Sequence, residues 1–189
     1  MNDRISNQSK PATTLLPASM TGSWMIEPAQ SSIRFSASQL LMPRLHGSFA
    51  DFEVSIDASE NPLDSSVTAS IRIASVKTGL ATRDHHAQTR SYFDAKNYPV
   101  AQYRSTGIRP DGAGWLIDGE LTLHGVIRPL QLVVSSTGAP ADIAREGRAT
   151  FTATGDFNRR DFGISTGIPI VGDRISLTIE LEAVRQVRP

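Results

Sequence analysis

The sequence predicts an all-β protein: about eight antiparallel strands with one short helical insertion. Three features point there. From Ser23 onward, apolar residues recur mostly at every second position, the period of a strand with one buried face. Clusters such as Asn61-Pro62-Leu63-Asp64 and Pro110-Asp111-Gly112 separate these segments, as turns do. One stretch alone, Ala81–Thr106 (ATRDHHAQTRSYFDAKNYPVAQYRST), opens with charge, histidine and aromatics in no alternating order.

The chain of 189 residues fits one domain large enough to bury a core. Residues 1–22 are polar and rich in Ser, Thr and Asn, and they read as a disordered tail ahead of one barrel domain over 23–189. Leu15-Leu16 is the largest apolar pair in that tail, so it lacks the apolar run of a secretory signal, and no window is long and apolar enough to cross a bilayer. The expected location is therefore cytoplasmic, or periplasmic if a leader has been removed. A net charge of +0 and a pI near 6.9 give no electrostatic case for nucleic-acid binding, and they leave a local basic patch open. With no cysteine, disulfides and thiolate metal sites are excluded.

In chain order, Ile33, Phe35 and Ala37 share the inward face of the first clear strand, opposite Ser32, Arg34 and Ser36. Phe52, Val54 and Ile56 alternate in the next, with Phe49 out of phase; a bulge near Ala50-Asp51 would return it to the same face. Val67, Ala69, Ile71 and Ile73 follow. Thr82 or Asp84 then caps a helix running to about Arg90, and Ser91 opens a turn carrying Tyr92, Phe93 and Asp94. Pro99 and the extended bias of Tyr98 end any helix. Ala101, Tyr103 and Ser105 resume the alternation, and Pro110–Gly114 turns the chain. Trp115, Ile117, Gly119, Leu121 and Leu123 face inward up to a strand-end turn at His124-Gly125. Leu130, Leu132 and Val134 come next, then a loop near Gly138–Pro140. Ala149, Phe151, Ala153, Gly155 and Phe157 form one strand, and Ile175, Leu177, Ile179 and Leu181 the last.

Strands this numerous, each with one polar face, suit a barrel or a sandwich. The inward set mixes large residues with Ala37, Ala69, Ala101, Gly119, Ala153 and Gly155. Such small groups leave volume, which in an eight-stranded barrel holds one elongated ligand; they also occur where strands coil tightly.

The polar residues carry no catalytic or metal signature. His85 and His86 are adjacent, so on a helix they point apart, and the His-x-x-x-His spacing of a helical metal pair is absent. His86 either packs inward against a backbone group or meets a ligand headgroup. Arg83-Asp84 and Arg159-Arg160-Asp161 read as charges clamping the insertion onto the barrel, or as a polar cap at a cavity mouth. Trp24 and Trp115 read as core or end plugs. There is no nucleophile elbow or phosphate loop; Asp84 with His86 is the one candidate acid–base pair.

An ordered set of stretches comprises Trp24–Phe35 (WMIEPAQSSIRF), Gly47–Phe52, Arg83–His86 with Tyr92–Asp94, Tyr98–Thr106, Gly119–Leu130, Asn158–Ile164 and Val171–Leu177. Together they resemble the YceI-like family of polyisoprenoid-binding proteins. The resemblance covers about Ser23 to Val184. It implies a lipocalin-like eight-stranded antiparallel barrel with a helical insertion and a long apolar cavity. It also implies a ligand such as an isoprenoid quinone-like or fatty amide-like chain, with no further cofactor, and a homodimer as a plausible assembly. Lacking a leader, this chain resembles the cytoplasmic branch. It departs from the family pattern at Gln39, where a histidine is common, at Ala87, where leucine is usual, and at Pro43.

On this reading the cavity wall is drawn from the inward faces already described: Ile33, Phe35, Phe52, Val54, Ile71 and Ile73 from the first half, Tyr103, Ile117, Leu121 and Leu132 from the middle, and Phe151, Phe157, Leu177 and Ile179 from the end, with His86 at the mouth. The expected function is to sequester or carry a long-chain lipid. The alternatives are an enzyme acting on such a lipid and a stress-response interaction module with a filled barrel.

Overall fold

The structure, a computed structural model, describes residues 18–39, 41–112, 114–137, 146–166 and 171–186. Alternating sequence becomes alternating burial. In β2 (Ser32–Gln39), Ile33, Phe35 and Ala37 are buried between more exposed neighbours. The same rhythm runs through β4 (Phe52–Ala58), β7 (Val100–Asp111), β8 (Gly114–Leu123) and β10 (Arg148–Asn158). The other strands are β1 (Gly22–Ile26), β3 (Met42–Phe49), β5 (Ser66–Arg72), β6 (Val76–Lys77), β9 (Val126–Thr137) and β11 (Val171–Arg185). The helix, α1, spans Ala81–Gln88.

Every pairing is antiparallel, and the sheet closes on itself in the order β1, β4, β5, β7, β8, β9, β10, β11 and back to β1. β11 pairs with β10 along one edge and with two strands in turn along the other. Its second half pairs with β1 (Ile26 opposite Ala183) and its first half with β2 (Ser32 opposite Glu180). β3 and β6 extend the wall from β2. Thus β1 with β2, β3 with β4, and β5 with β6 are three barrel strands, each broken once, and the result is a closed eight-stranded barrel.

The breaks lie side by side: a 3-10 turn at Pro28–Gln30, a bend at Ala50-Asp51 and a 3-10 turn at Ile73–Ser75. Side chains stitch the seam. The Arg72 backbone N–H donates to the Asp51 carbonyl at 2.9 Å, and its guanidinium to the Asp51 carboxylate at 2.6 Å. Ser31 Oγ accepts from the Glu182 backbone N–H at 3.0 Å. The expected bulge near Ala50-Asp51 is therefore not a bulge within one strand. It is a bend between β3 and β4, and Phe49 returns to the interior because the strand restarts. A register shift does occur between Ser105 and Gly107 in β7, and it swings Ile108 inward to join Tyr103.

Two further expectations are corrected. The fold reaches back to Ala18, because the Met20 carbonyl accepts from the Trp24 indole N–H at 3.0 Å; residues 1–17 and the loop at 138–140 lie outside the described residues. The helix starts after Leu80, without a side-chain cap, and ends at Gln88. Neither Thr82 nor Asp84 caps it. Asp84 sits inside the first turn and reaches back to Thr78. His124-Gly125 does turn β8 into β9, with φ of +53° and +73°, as a two-residue hairpin of the primed type requires.

Gly119 has a different role from the one expected. The hydroxyl end of the Tyr103 ring lies against it, where a Cβ would collide with that end and come within 2.7 Å of the Arg104 carbonyl. Phe35 covers Gly47 in the same way. These glycines make room for rings rather than for ligand. Gly119→Ala should therefore lower unfolding free energy by about 1–3 kcal/mol in urea titration, and by clearly less in a Tyr103→Ala background, where the ring is gone.

Candidate functional site

The inward faces of all eight barrel strands meet around one cavity of about 490 Å³, inside the range of small-molecule sites. It is lined from Met20, Trp24 and Pro62 at one end to Thr78, Arg83 and His86 at the other. Ala37, Ala69, Ala101 and Ala153 are on the wall, so these small residues do leave volume. The wall and the hydrophobic core are largely the same residues.

Of the residues assigned to the wall from sequence, Ile33, Phe35, Val54, Ile71, Tyr103, Ile117, Leu121, Leu132, Phe151, Phe157, Leu177 and Ile179 line this cavity, and His86 stands at its rim. Phe52 and Ile73 do not line it. Both are buried beside the seam, where the Ala50-Asp51 bend and the Ile73–Ser75 turn redirect their side chains into packing. Sequence reasoning missed Met20, Phe49, Tyr92, Phe93 and Arg159 as wall residues. Met20 fell in the assumed tail, Phe49 was set on the inward face but not counted in the wall, and Tyr92, Phe93 and Arg159 belong to segments without strand period. Gln39 and Ala87, two of the departures from the family pattern, both line the cavity.

The far end is closed by Trp24, which is 2% exposed and has Arg185 stacked over its ring at 4.9 Å. Trp115 lines the same end. The polar end is built by the insertion, and what pins it there is aromatic. Phe93 meets Phe35 and Phe49 edge-on, with centroids 6.4 and 6.0 Å apart, a geometry favoured by ring quadrupoles. Tyr98 covers Gly125 and meets His124 edge-on at 5.1 Å. His124 Nδ1 in turn donates to the Phe162 carbonyl at 3.0 Å.

The expected charged clamp between insertion and barrel is therefore not what forms. Each charged group ties down its own loop. Arg159, 4% exposed, donates to the carbonyls of Gly172 (3.2 Å), Val171 (2.9 Å), Ile164 (3.3 Å) and Thr166. Asp173 faces both Arg159 at 3.3 Å and Arg160 at 2.8 Å. In the insertion, the Asp84 carboxylate accepts from Thr78 N–H and Oγ1, both at 2.6 Å, and Arg83 donates to the Thr78 carbonyl. The two hydrogen bonds from Thr78 hold the Asp84 carboxyl below the usual aspartate range; burial opposes them, and Lys77 and Arg83 add to them.

His86 is exposed rather than packed inward. Among the described residues no hydrogen bond joins it to Asp84, which lies two positions away on a different face of the helix. Nor, among them, is any group of three His, Asp or Glu residues placed to hold a metal ion. No described helix is long and apolar enough to cross a membrane. Tyr103, at mid-barrel, shares its hydroxyl proton between the carbonyls of Ile117 and Leu130, both at 3.3 Å. Burial pushes this phenol well up, so it stays neutral.

Comparison with known proteins agrees with this architecture. The family model described as the YceI-like domain matches residues 24–183. A UPF0312 protein of Photorhabdus laumondii is 34% identical over 143 residues, spanning 75% of this chain and 74% of the relative. Among solved structures, BcnA of Burkholderia cenocepacia superposes with a TM-score of 0.75 at 24% identity, over 84% of this chain and 99% of that one. A polyisoprenoid-binding domain from Saccharophagus degradans superposes with a TM-score of 0.65 at 16% identity, over 86% of this chain and 98% of that one. At these identities the two structures speak to the fold.

Arg159→Met should cost about 3 kcal/mol of unfolding free energy, because it strands four carbonyls and leaves Asp173 with Arg160 as its remaining cation; urea titration measures it. Asp84 gives a pH signature. Its carboxyl is depressed in the fold, so its stabilisation is present above about pH 4 and lost as pH falls through the lower folded value. Melting temperature followed from about pH 6 to about pH 2.5 should fall less steeply in Asp84→Asn than in the parent.

Proposed function

The chain belongs to the YceI-like family, and we propose from that premise that it takes up one long, largely apolar chain, an isoprenoid or similar amphiphile, and carries or sequesters it in the barrel. The observation that bears the proposal is a cavity running from Trp24 to His86 with apolar side chains along almost its whole length. Its polar lining is gathered mainly at the insertion end, in Gln39, Thr78, Arg83, His86 and Arg159. The similarity to the Saccharophagus degradans polyisoprenoid-binding domain supports the ligand class.

The energetics suit such a ligand. Each methylene moved from water into the cavity contributes roughly 0.8 kcal/mol, so a chain of a dozen or more carbons needs few hydrogen bonds. Arg159 and Asp84 already have partners within their own loops, so binding would rest on the length and shape of the tube. A headgroup would sit at the insertion end, where His86 is exposed.

The enzyme reading loses its one candidate pair, since Asp84 is engaged by Thr78 and not by His86. The filled-barrel interaction module is disfavoured by the cavity itself.

Organic extraction of protein purified without detergent, followed by mass spectrometry, should yield a stoichiometric long-chain species. An empty extract, with no uptake of an added quinone or fatty amide, would count decisively against the carrier. Ala153→Phe places a ring on the cavity wall. Displacing two methylenes of ligand costs roughly 1.6 kcal/mol, a factor of about fifteen in affinity, which titration with a fluorescent long-chain probe would detect.

A further inference from the structure

Single exposed apolar side chains are ordinary, but Leu41 is not ordinary. It sits at the tip of the β2–β3 hairpin, 97% exposed, with φ of +57°. That is the left-handed region, which glycine or asparagine enters far more readily than leucine. A leucine here accepts backbone strain and gains no burial within the fold. The hairpin rises beside the cavity mouth, for Gln39 at its base and Leu45 in β3 both line the cavity. Leu80 at the start of α1 and Ile127 after the His124-Gly125 turn are also exposed at this end, at 58% and 55%.

The zero net charge conceals a polarity along the barrel. The segments at the insertion end, residues 39–49, 76–100, 123–129 and 156–176, carry nine Arg and Lys against five Asp and Glu. The rest of the described chain, from residue 18 to residue 186, carries six against twelve. Arg44, Lys77, Arg90, Lys96 and Arg128 are all exposed at the basic end.

We propose that the insertion end docks on an anionic lipid bilayer, with Leu41 entering the headgroup layer and the surrounding cations meeting lipid phosphates. An apolar tip among exposed cations matches the layering of such a surface, acyl chains beneath negative charge. The acidic far end would be repelled, so the mouth is presented to the membrane. The inference rests on the carrier reading for its purpose, the exchange of a lipid between bilayer and barrel. Its test uses no cavity ligand.

The test is flotation of the full chain with vesicles of equal phosphatidylglycerol and phosphatidylcholine, and with vesicles of phosphatidylcholine alone. The protein should float with the anionic vesicles only, and added salt should weaken the association. Leu41→Asn should lower binding at least about tenfold while leaving the melting temperature unchanged or raised, since asparagine tolerates the left-handed region. Leu63→Asn, at the opposite end and 59% exposed in the parent, should leave binding unchanged.

No association with anionic vesicles overturns the proposal. So does equal binding to neutral ones, binding unaffected by Leu41→Asn, or an equal loss from Leu63→Asn. A self-association that Leu41→Asn breaks, in a protein that ignores vesicles, would assign the tip to a second copy instead. Failure of the carrier reading would appear separately, as an empty extract and no lipid uptake from a protein that still floats.

Discussion

Closure of the sheet through β1 and β11 is the constraint on which the rest of the molecule depends. Three residue pairs, Trp24 with Arg185, Met25 with Val184 and Ile26 with Ala183, join the first strand to the last. They leave the ring without an open edge and set it at eight strands. That number fixes a bore which side chains either fill or leave as one ligand-sized volume. Here the choice is made by Ala37, Ala69, Ala101 and Ala153, which face the bore and do not reach across it. Two of the rings on the wall, Tyr103 and Phe35, find room against Gly119 and Gly47. Stability and cavity thus come from one set of residues. A substitution that fills the bore acts on both, and a glycine that looks like spare volume supports a ring.

A closed tube must still be stopped at one end and reachable at the other, and the two ends solve this with different chemistry. Trp24 stops the acidic end, its indole N–H satisfied by Met20 and its face covered by Arg185. At the basic end the insertion lies over the bore, held by Phe93 against Phe35 and Phe49. Contacts between rings tolerate small displacements better than bidentate ion pairs do. Arg159 meanwhile stiffens the neighbouring loop, and Asp84 ties the start of the insertion to Thr78.

The strands were legible because each buries one face, and a period of two survives in the residue order even where single positions are small. The seam was not. Phe52 and Ile73 have the right phase for the wall, yet a bend and a 3-10 turn, set by pairing with strands distant in sequence, turn them into packing. The β7 register shift hides in Thr106-Gly107, where neither residue is apolar enough to reveal a change of phase. The charged motifs were visible but their partners were not. Arg159 binds carbonyls, which leave no mark in a sequence, and Asp173 lies fourteen positions beyond it. The insertion's aromatics read as a turn because the groups they touch, Phe35 and Phe49, lie more than forty positions earlier.

The polar end shows why sequence reasoning stops short of naming a ligand. Groups that recognise a headgroup by hydrogen bonding must be free before it arrives. At this mouth Asp84 is taken by Thr78, and Arg159 by four carbonyls. What faces the bore is mostly methyl, methylene and ring, whose contribution grows with buried area and carries no directional code. A carrier built so would rank ligands by the length and girth of the chain before the identity of the head. Such selectivity is written in the spacing of alanines and rings around the bore, Ala153 beside Phe151 and Ala37 beside Phe35. Two carriers of this build with the same polar motifs could then hold different lipids, and the differences would lie at cavity-wall positions such as Gln39 and Ala87.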